Sequence, residues 1–565
     1  MPSKPSRPRT AENAFTSLRS GPLNPNGIAR PVLLWLLTLL LWLPGLGNLP
    51  LRDWDEGRVA TVARSTVARS TMARVQLDSA ALNGTALDAS LFDGLLAFKW
   101  DEAYLNKPPG LHWLIGGAIH LGGEQEWVVR LVPCLIASLA VPLILLLRRQ
   151  LGGADADTKA VLAALILATL LPMARHGRLA MLDGSLVTSV LLLWTGWLSS
   201  RRQPWLALVA GLGGSGILLL KPPALLGFAL ITAVISLWDR HSSRWHPSCL
   251  LWLGLGLSPG LAWHFWHWHQ RGSAAWLMWG GQGLGRITEV VGDSSGAWVM
   301  PITEVLEGGW PWLLLLPVGL QQVFRQRHQS ASRWQLGLLL GSAALVLPLR
   351  TQLPWYSHLL WPAIALICAD GLSQVLNSGR PYWVSRIWSL MGAALLLIAA
   401  WLLLKGTQQA LPWASLLWAG TGLLAGGLQL LQPQRQLRRR GLITLLLGWS
   451  VALLALWHSQ LWLWELNESW DPRPVASAIR QLPPDATVML KGPTRPSLGW
   501  YAGRELLPNN ARPDGEHWQV SRKPPNHCAP VPGSASGTSS WQLWHCKAPG
   551  TTVPSPAAIA PPEQP

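Results

Sequence analysis

Apolar residues along this 565-residue chain gather in blocks of roughly 16 to 22, the length an α-helix needs to cross a hydrocarbon layer. Such blocks lie near 31–48, 126–147, 158–176, 182–199, 204–220, 222–238, 248–267, 309–324, 334–349, 354–375, 385–404, 412–431 and 441–462. Another apolar piece, "PGLHWLIGGAIHLGG" at 109–123, is short for a span and reads as an interfacial helix. Charge parity supports leaving it out. Counted as a span, it would put the arginine clusters "SSRRQ" (199–203), "FRQRHQ" (324–329) and "RQLRRR" (435–440) outside; left out, it puts all three inside. The pattern predicts a mainly α, polytopic membrane protein of about 13 transmembrane helices, with juxtamembrane helices on the outer face.

The ends and loops complete the organisation. Residues 1–30 read as a disordered, basic cytoplasmic tail, and 31–462 as the membrane domain. Its first outer loop is 49–125 and its second large outer loop 268–308. The first block lacks a small-residue cleavage site and reads as a retained span. Segment 463–548 reads as a small periplasmic α/β domain: "PRPVASAIRQL" and "PSLGWYAGREL" suit helices, "PPDA" a turn and "TVMLKG" a strand. The Pro- and Ala-rich end, 549–565, reads as disordered.

Composition sharpens this picture. Hydrophobic residues make up 49% of the chain and charged ones 13%, and 37 Trp stand against 4 Tyr and 6 Phe, as expected for a belt of indoles at membrane interfaces. The net charge of +17 sits in short clusters between apolar blocks, which suits cytoplasmic loops against anionic lipid and argues against nucleic acid. On this topology most acids face outward, so chemistry is expected there.

Three outer stretches carry candidate groups. In "LRDWDEGRVATVARS" (51–65), a helix starting at Asp53 would put Asp55, Arg58, Val62, Ser65 and Arg69 on one face. Two readings stand side by side: a working carboxylate and guanidinium, or acids that complement a helix N-terminus beside arginines on lipid phosphate. In "AYLNKPPGLHW" (103–113), Lys107 precedes two prolines that hold the chain extended; it is placed to meet a lipid phosphate or simply to snorkel. In "ARHGRLAMLDG" (174–184), Asp183 opens an apolar span near Arg175, His176 and Arg178, as a second working acid or as a cap.

Taken in order, "DEGR" (55–58), "NKPPGLHW" (106–113) and "RLAMLD" (178–183) resemble the polyprenyl-phosphate-sugar glycosyltransferases of glycosyltransferase family 39, which include the lipid A aminoarabinose transferase and the protein O-mannosyltransferases. "GEQEWVVRLVPCL" (123–135), "LLLKPPALL" (218–226), "LPWYSHLLWPAIAL" (353–366) and "PSLGWYAGREL" also look familial. The resemblance covers roughly 31–510 and implies a GT-C fold acting on the outer face of a bacterial inner membrane. It implies a polyprenyl-phosphate sugar as donor and a lipid, protein or glycan as acceptor. Asp55 would be the catalytic carboxylate and Asp183 the second acid. Lys107 and Arg58 would hold the donor phosphate with help from Tyr356, supported by Glu56, Arg178, Arg286, Gln282 and Lys221.

This chain departs from the pattern at Val59, where a tyrosine often stands, and at Asn106, where an acid often precedes Lys-Pro-Pro. The second departure weakens any metal site, and metal use stays open. Where relatives carry a histidine in the second large outer loop, this chain has Gln282 and Arg286 in "WGGQGLGRI". His264, His267 and His269 spread around a helix and fit an aromatic belt better than a ligand set. A transporter or lipid flippase would share the span count, but there is no half-to-half repeat and few charges sit mid-span. A membrane polysaccharide polymerase or ligase shares the large outer loops.

Cys528 and Cys546 flank a Pro-, Gly- and Ser-rich stretch read as a flexible loop. A periplasmic location favours a disulfide there, worth roughly 3 kcal/mol, over two thiols in a disordered tail. The topology is directly testable: a reporter active only outside the cytoplasm should work when fused after residue 465 and fail after residue 440, and the opposite result would overturn the thirteen-span reading.

Overall fold

The computed structural model describes residues 25–83, 94–239, 245–290, 299–378, 382–406, 413–463, 471–508, 515–535 and 541–547. The expected tail 549–565 and most of the tail 1–30 lie outside them. The chain divides into two compact units. One comprises Met1–Gly45, Leu105–Leu111 and Leu131–Trp462; the other comprises Leu46–Tyr104, His112–Arg130 and Leu463–Pro565.

The first unit is helical, and all thirteen predicted blocks fall on helices or helix pairs. The opening helix is Pro25–Trp42 rather than 31–48. Proline suits a first helical turn, while Pro44 and Gly45 (φ 73°) carry the chain out of helix after Trp42. Among the described residues, Glu126–Leu151, Trp383–Leu404 and Arg435–Trp457 are each long and apolar enough to cross a membrane unaided. Ala156–Thr169 and Leu171–Gly177 make a fourth candidate if taken as one span bent by 61°. Ile28–Trp42, Pro204–Leu218 and Pro222–Trp238 are shorter apolar helices.

The bend has an identifiable cause. Pro172 has no N–H and cannot bond to the carbonyl of Ala168, four residues back. The indole N–H of Trp42 supplies that bond instead (2.9 Å), and Trp449 donates to the neighbouring Thr169 carbonyl (2.8 Å). Trp457 likewise donates to Leu41 O near the end of the opening helix (3.0 Å). This corrects the expectation of an interfacial belt for the tryptophans as a class. Trp42, Trp194, Trp312, Trp334, Trp361, Trp388, Trp457 and Trp462 are all almost fully buried; each fills space among the helices, and Trp42, Trp388 and Trp457 also donate to a backbone carbonyl. Elsewhere helices meet closely through small residues: a Cβ on Gly422 would lie 2.8 Å from the Cα of Gly448.

Arg202, Arg325, Arg327, Arg435, Arg439 and Arg440 of the expected clusters are exposed, while a few other cations turn inward. Arg148 and Lys159 pair with the buried Asp370 (3.4 and 2.7 Å), whose other oxygen accepts from Gln335 Nε2 (2.5 Å). Arg201 and Arg333 converge on Asp239 (2.9 and 3.3 Å), which also accepts from Ser330 Oγ and Trp334 Nε1. These cations neutralise carboxylates inside the helix packing rather than facing lipid head groups.

The second unit gathers the first outer loop with the C-terminal segment. The expected membrane domain, 31–462, includes that loop, 49–125. Long-range polar contacts account for the observed grouping: Tyr501 Oη accepts from Leu51 N–H (2.8 Å) and donates to Glu126 (2.9 Å), and Arg64 donates to Trp500 O (3.1 Å). Burial and the neighbouring Glu126 carboxylate raise the Tyr501 phenol's pKa, so it stays a donor. A short antiparallel pair, β1 (Phe98–Lys99) and β2 (Glu102–Ala103), precedes a four-stranded sheet. That sheet has β3 (Val488–Leu490) parallel to β4 (His517–Ser521), and β6 (Gln542–Cys546) antiparallel to both β4 and β5 (Cys528–Pro530). The helices expected in the C-terminal segment are Arg473–Arg480 and Pro496–Ala502.

Cys528 and Cys546 are disulfide-bonded and lie directly opposite one another in the β5–β6 register. They therefore sit in strands rather than at the ends of a flexible loop.

Trp42→Phe should keep an aromatic ring but leave a small void and the Ala168 carbonyl without its donor. The expected loss is about 1–3 kcal/mol, read as a lower unfolding midpoint of the detergent-solubilised protein.

Candidate functional site

Residues Asp53–Gly57 form a single wide turn, closed by a bond from Gly57 N–H to Arg52 O (2.6 Å), and the regular helix begins at Arg58. The face reading built on a helix from Asp53 is therefore corrected. Asp55 belongs to the turn, Val62 is buried with Ala97 and Tyr104, and Ser65 Oγ accepts from Trp100 N–H (2.9 Å). Val62 and Ser65 are turned into the protein, while Arg69 is exposed. The wide turn separates three acids with different surroundings. Asp53 is fully buried, accepting from Arg495 Nη1 (2.8 Å) and from the Ser497 amide (3.1 Å) and hydroxyl. Glu56 is fully buried against Arg130, which donates from Nε to Oε1 (2.7 Å) and from Nη2 to Oε2 (2.6 Å). Arg130 also donates to the carbonyls of Leu46, Leu49 and Pro50 (2.6, 2.7 and 2.9 Å), tying the chain before the turn to the turn itself. Asp55 is half-buried, and Arg58 stacks over the Trp54 ring at 4.7 Å.

A second constellation lies in the helical unit. Asp183, in the first turn of Leu182–Ser199, pairs with Lys221 Nζ at 2.6 Å. The same ammonium lies 5.5 Å from the centre of the Tyr356 ring, and Tyr356 Oη accepts from Arg286 Nη1 at 2.8 Å. Arg286 is held at both levels. Its Nε donates to Gln282 O (3.2 Å), and its carbonyl accepts from the amides of Arg350 and Thr351 (3.1 and 3.2 Å). Of the sequence candidates, Asp183, Lys221, Tyr356 and Arg286 are thus brought together, with Gln282 bracing through its backbone.

Lys107 reaches this region through its turn. Gly110 N–H donates to Leu219 O (3.2 Å), two residues before Lys221. A Cβ at Gly110 would come within 2.8 Å of the Leu219 carbonyl oxygen and Cβ, so only glycine lets the two Lys-Pro-Pro turns dock this closely. Lys107 itself is half-buried. Three cations on these braced elements, with one carboxylate already neutralised, make an environment that favours an anionic group such as a phosphate.

Other candidates are placed differently. Arg178 is fully buried; it donates to the Trp42 and Pro44 carbonyls and packs over the Trp457 and Trp462 rings at 4.4 and 4.7 Å, closing the end of the opening helix. His264 contacts the Leu218 carbonyl (3.1 Å) and Trp279, and His267 stacks on Trp263. Among the described residues, no three His, Cys, Asp or Glu converge where they could hold a metal ion.

Sequence reasoning missed two groups. Arg130 interrupts the apolar run Val128–Leu131, and an arginine there demands a buried partner, a signal present in the sequence. His358, buried beside His176 (ring centres 4.3 Å apart) and bonded to the carbonyls of Trp355 and Pro172, follows Tyr356 by two residues; nothing local marked it out.

Comparison with known proteins gives a consistent likeness. Residues 106–264 match the dolichyl-phosphate-mannose-protein mannosyltransferase family. The undecaprenyl phosphate-α-4-amino-4-deoxy-L-arabinose arabinosyl transferase 1 of Pseudomonas fluorescens is 25% identical over 320 residues, 51% of this chain and 54% of the relative. The corresponding Pseudomonas aeruginosa transferase is 28% identical over 324 residues, 53% and 55% of the two chains. The chain thus spans about half the length of the curated relatives it matches. The crystal structure of ArnT from Cupriavidus metallidurans bound to undecaprenyl phosphate superposes with a TM-score of 0.64 at 16% identity, covering 94% of this chain and 100% of that one. Its apo form gives 0.62 at 18% identity, covering 92% and 98%. The fold is of the GT-C type seen in ArnT. These likenesses point the same way as the motif resemblance.

The buried pair separates Glu56 from its neighbour Asp55 experimentally. Glu56→Ala should destabilise the fold by about 3–5 kcal/mol by stranding the Arg130 charge, and the double variant Glu56→Leu/Arg130→Met should remain destabilised because the carbonyls of Leu46, Leu49 and Pro50 then lose their donor. Thermal unfolding of the three proteins checks this.

Proposed function

We propose that this chain transfers a sugar from a polyprenyl-phosphate donor to an acceptor on the outer face of a bacterial inner membrane. The carrying observation is the braced set Asp183, Lys221, Tyr356 and Arg286, with the Lys107 turn docked beside Lys221. The order of the three motifs supports it, as does the likeness to transferases named for undecaprenyl phosphate donors. An undecaprenyl-type phosphate is the donor lipid on this reading. The acceptor class stays lipid, protein or glycan, and the sugar a hexose or pentose.

Chemically, an acceptor oxygen attacks the anomeric carbon as the bond from that carbon to the phosphate oxygen breaks. The polyprenyl phosphate departs with the bonding electrons, and Lys107 and Arg58, assisted by Tyr356, stabilise the growing negative charge. Asp55 accepts the proton of an acceptor hydroxyl; if the acceptor is already an anion, it instead steadies the oxocarbenium-like sugar. Asp183 is the second acid, held in place by its tie to Lys221. The proposed topology has thirteen spans, with a cytoplasmic N-terminus and a periplasmic C-terminal domain.

Purified protein given labelled polyprenyl-phosphate sugar tests the reading. Sugar transfer with release of the lipid phosphate supports it, whereas movement of intact donor across the bilayer without bond cleavage would make the chain a flippase. Asp55→Asn should abolish transfer while donor still binds. Lys107→Ala should weaken donor binding by about 1.5–3 kcal/mol, the worth of one charged hydrogen bond to phosphate.

A further inference from the structure

The second unit contains a cleft lined by none of the residues given a catalytic or phosphate-holding role above. It has a cavity volume of about 90 Å³, opens to solvent, and is lined by Leu490 of β3, the stretch 505–508, Lys99, Trp100 and the start of helix Pro496–Ala502.

Trp100 is the notable wall. It adopts φ 55°, a left-handed conformation that is strained for a bulky side chain and persists only when surroundings enforce it. The bond from its N–H to Ser65 Oγ provides that enforcement. Arg64 covers the ring at 5.1 Å from its centre, and the indole remains half-buried. At Gly499 a Cβ would stand 3.4 Å from Trp100 Cζ2, so this position keeps the ring edge clear of side chain.

The charges of the cleft cancel. Lys99 faces Glu505 (3.8 Å) and Arg495 is paired with Asp53 (2.8 Å), so neither cation is left to attract an anion. Polar capacity nevertheless remains: Arg495 Nε is buried without a hydrogen-bond partner among the described residues, and Thr494 stands exposed at the rim. A flat apolar indole beside balanced charges and an unmatched donor is complementary to a ligand with an apolar ring face and many hydroxyls.

We propose that this cleft is a saccharide-binding subsite that takes an uncharged sugar unit of a glycan-bearing acceptor. The proposal rests on the transferase reading for its purpose, not for its binding test.

Saturation-transfer NMR on the full-length protein in detergent, with maltotriose and chitotriose as neutral probes and glucosamine 1-phosphate as the charged one, reads it directly. Binding of at least one neutral probe is expected. It should weaken about tenfold, the loss of one aromatic contact, in Trp100→Ala. Because Trp100→Ala can disturb the fold, Thr494→Trp provides a second variant that fills the cleft from an exposed position and should abolish the signal. No binding of either neutral sugar at tens of millimolar, binding of the phosphorylated probe alone, or binding unchanged by Thr494→Trp would each overturn the subsite. Asp55→Asn should leave sugar binding intact. A wild-type protein that binds the neutral sugar in the cleft yet never cleaves the donor would refute the transferase reading and leave the subsite standing.

Discussion

A charge taken out of water must find its opposite, and much of this structure is organised around that demand. Asp53, Glu56, Asp239 and Asp370 are all almost fully buried, and each meets one or two cations. An unpaired carboxylate in such surroundings would be strongly destabilising, so each pair fixes the elements that carry it. Glu56 and Arg130 join the wide turn to a helix start and to the chain before it. Asp239 draws two arginines and an indole onto one point, and Asp370 does the same with an arginine, a lysine and an amide.

The same demand applies to backbone groups, and here tryptophan answers it. In a helix broken by proline, carbonyls lose their partners at a depth where water is scarce. Trp42, Trp449 and Trp457 each donate to such a carbonyl or to one near a helix end while filling space among the helices. This explains how a chain can bend sharply at Leu170 and still present Asp183 at the start of the following helix.

The constellation around Asp183 depends on that rigidity. Lys221 begins its helix directly after a turn, Arg286 is fastened through both side chain and carbonyl, and the turn bearing Lys107 is locked to Leu219 by a glycine contact. Groups held this way need little reorganisation when negative charge develops on a leaving phosphate, which is the advantage of a preformed electrostatic site.

The apolar blocks determined where helices form, because a helix satisfies its backbone within its own segment and its signal is local. The ordered motifs likewise marked Asp55, Lys107 and Asp183, and the C-terminal strand and helices were legible from turns and alternation. What only the tertiary structure decided is which distant residues meet. Glu56 finds Arg130 across 74 positions, Asp53 finds Arg495 across 442, and Asp183 finds Lys221 across 38. No local pattern encodes such pairings, since they depend on how whole elements pack. For the same reason the sequence left three features open: the wide turn that sets Asp55 apart from the helix after it, the placement of Cys528 and Cys546 in facing strands, and the inward role of Arg148 and Arg201. Each is the outcome of burying polar groups together, and burial belongs to the folded chain rather than to any stretch of it.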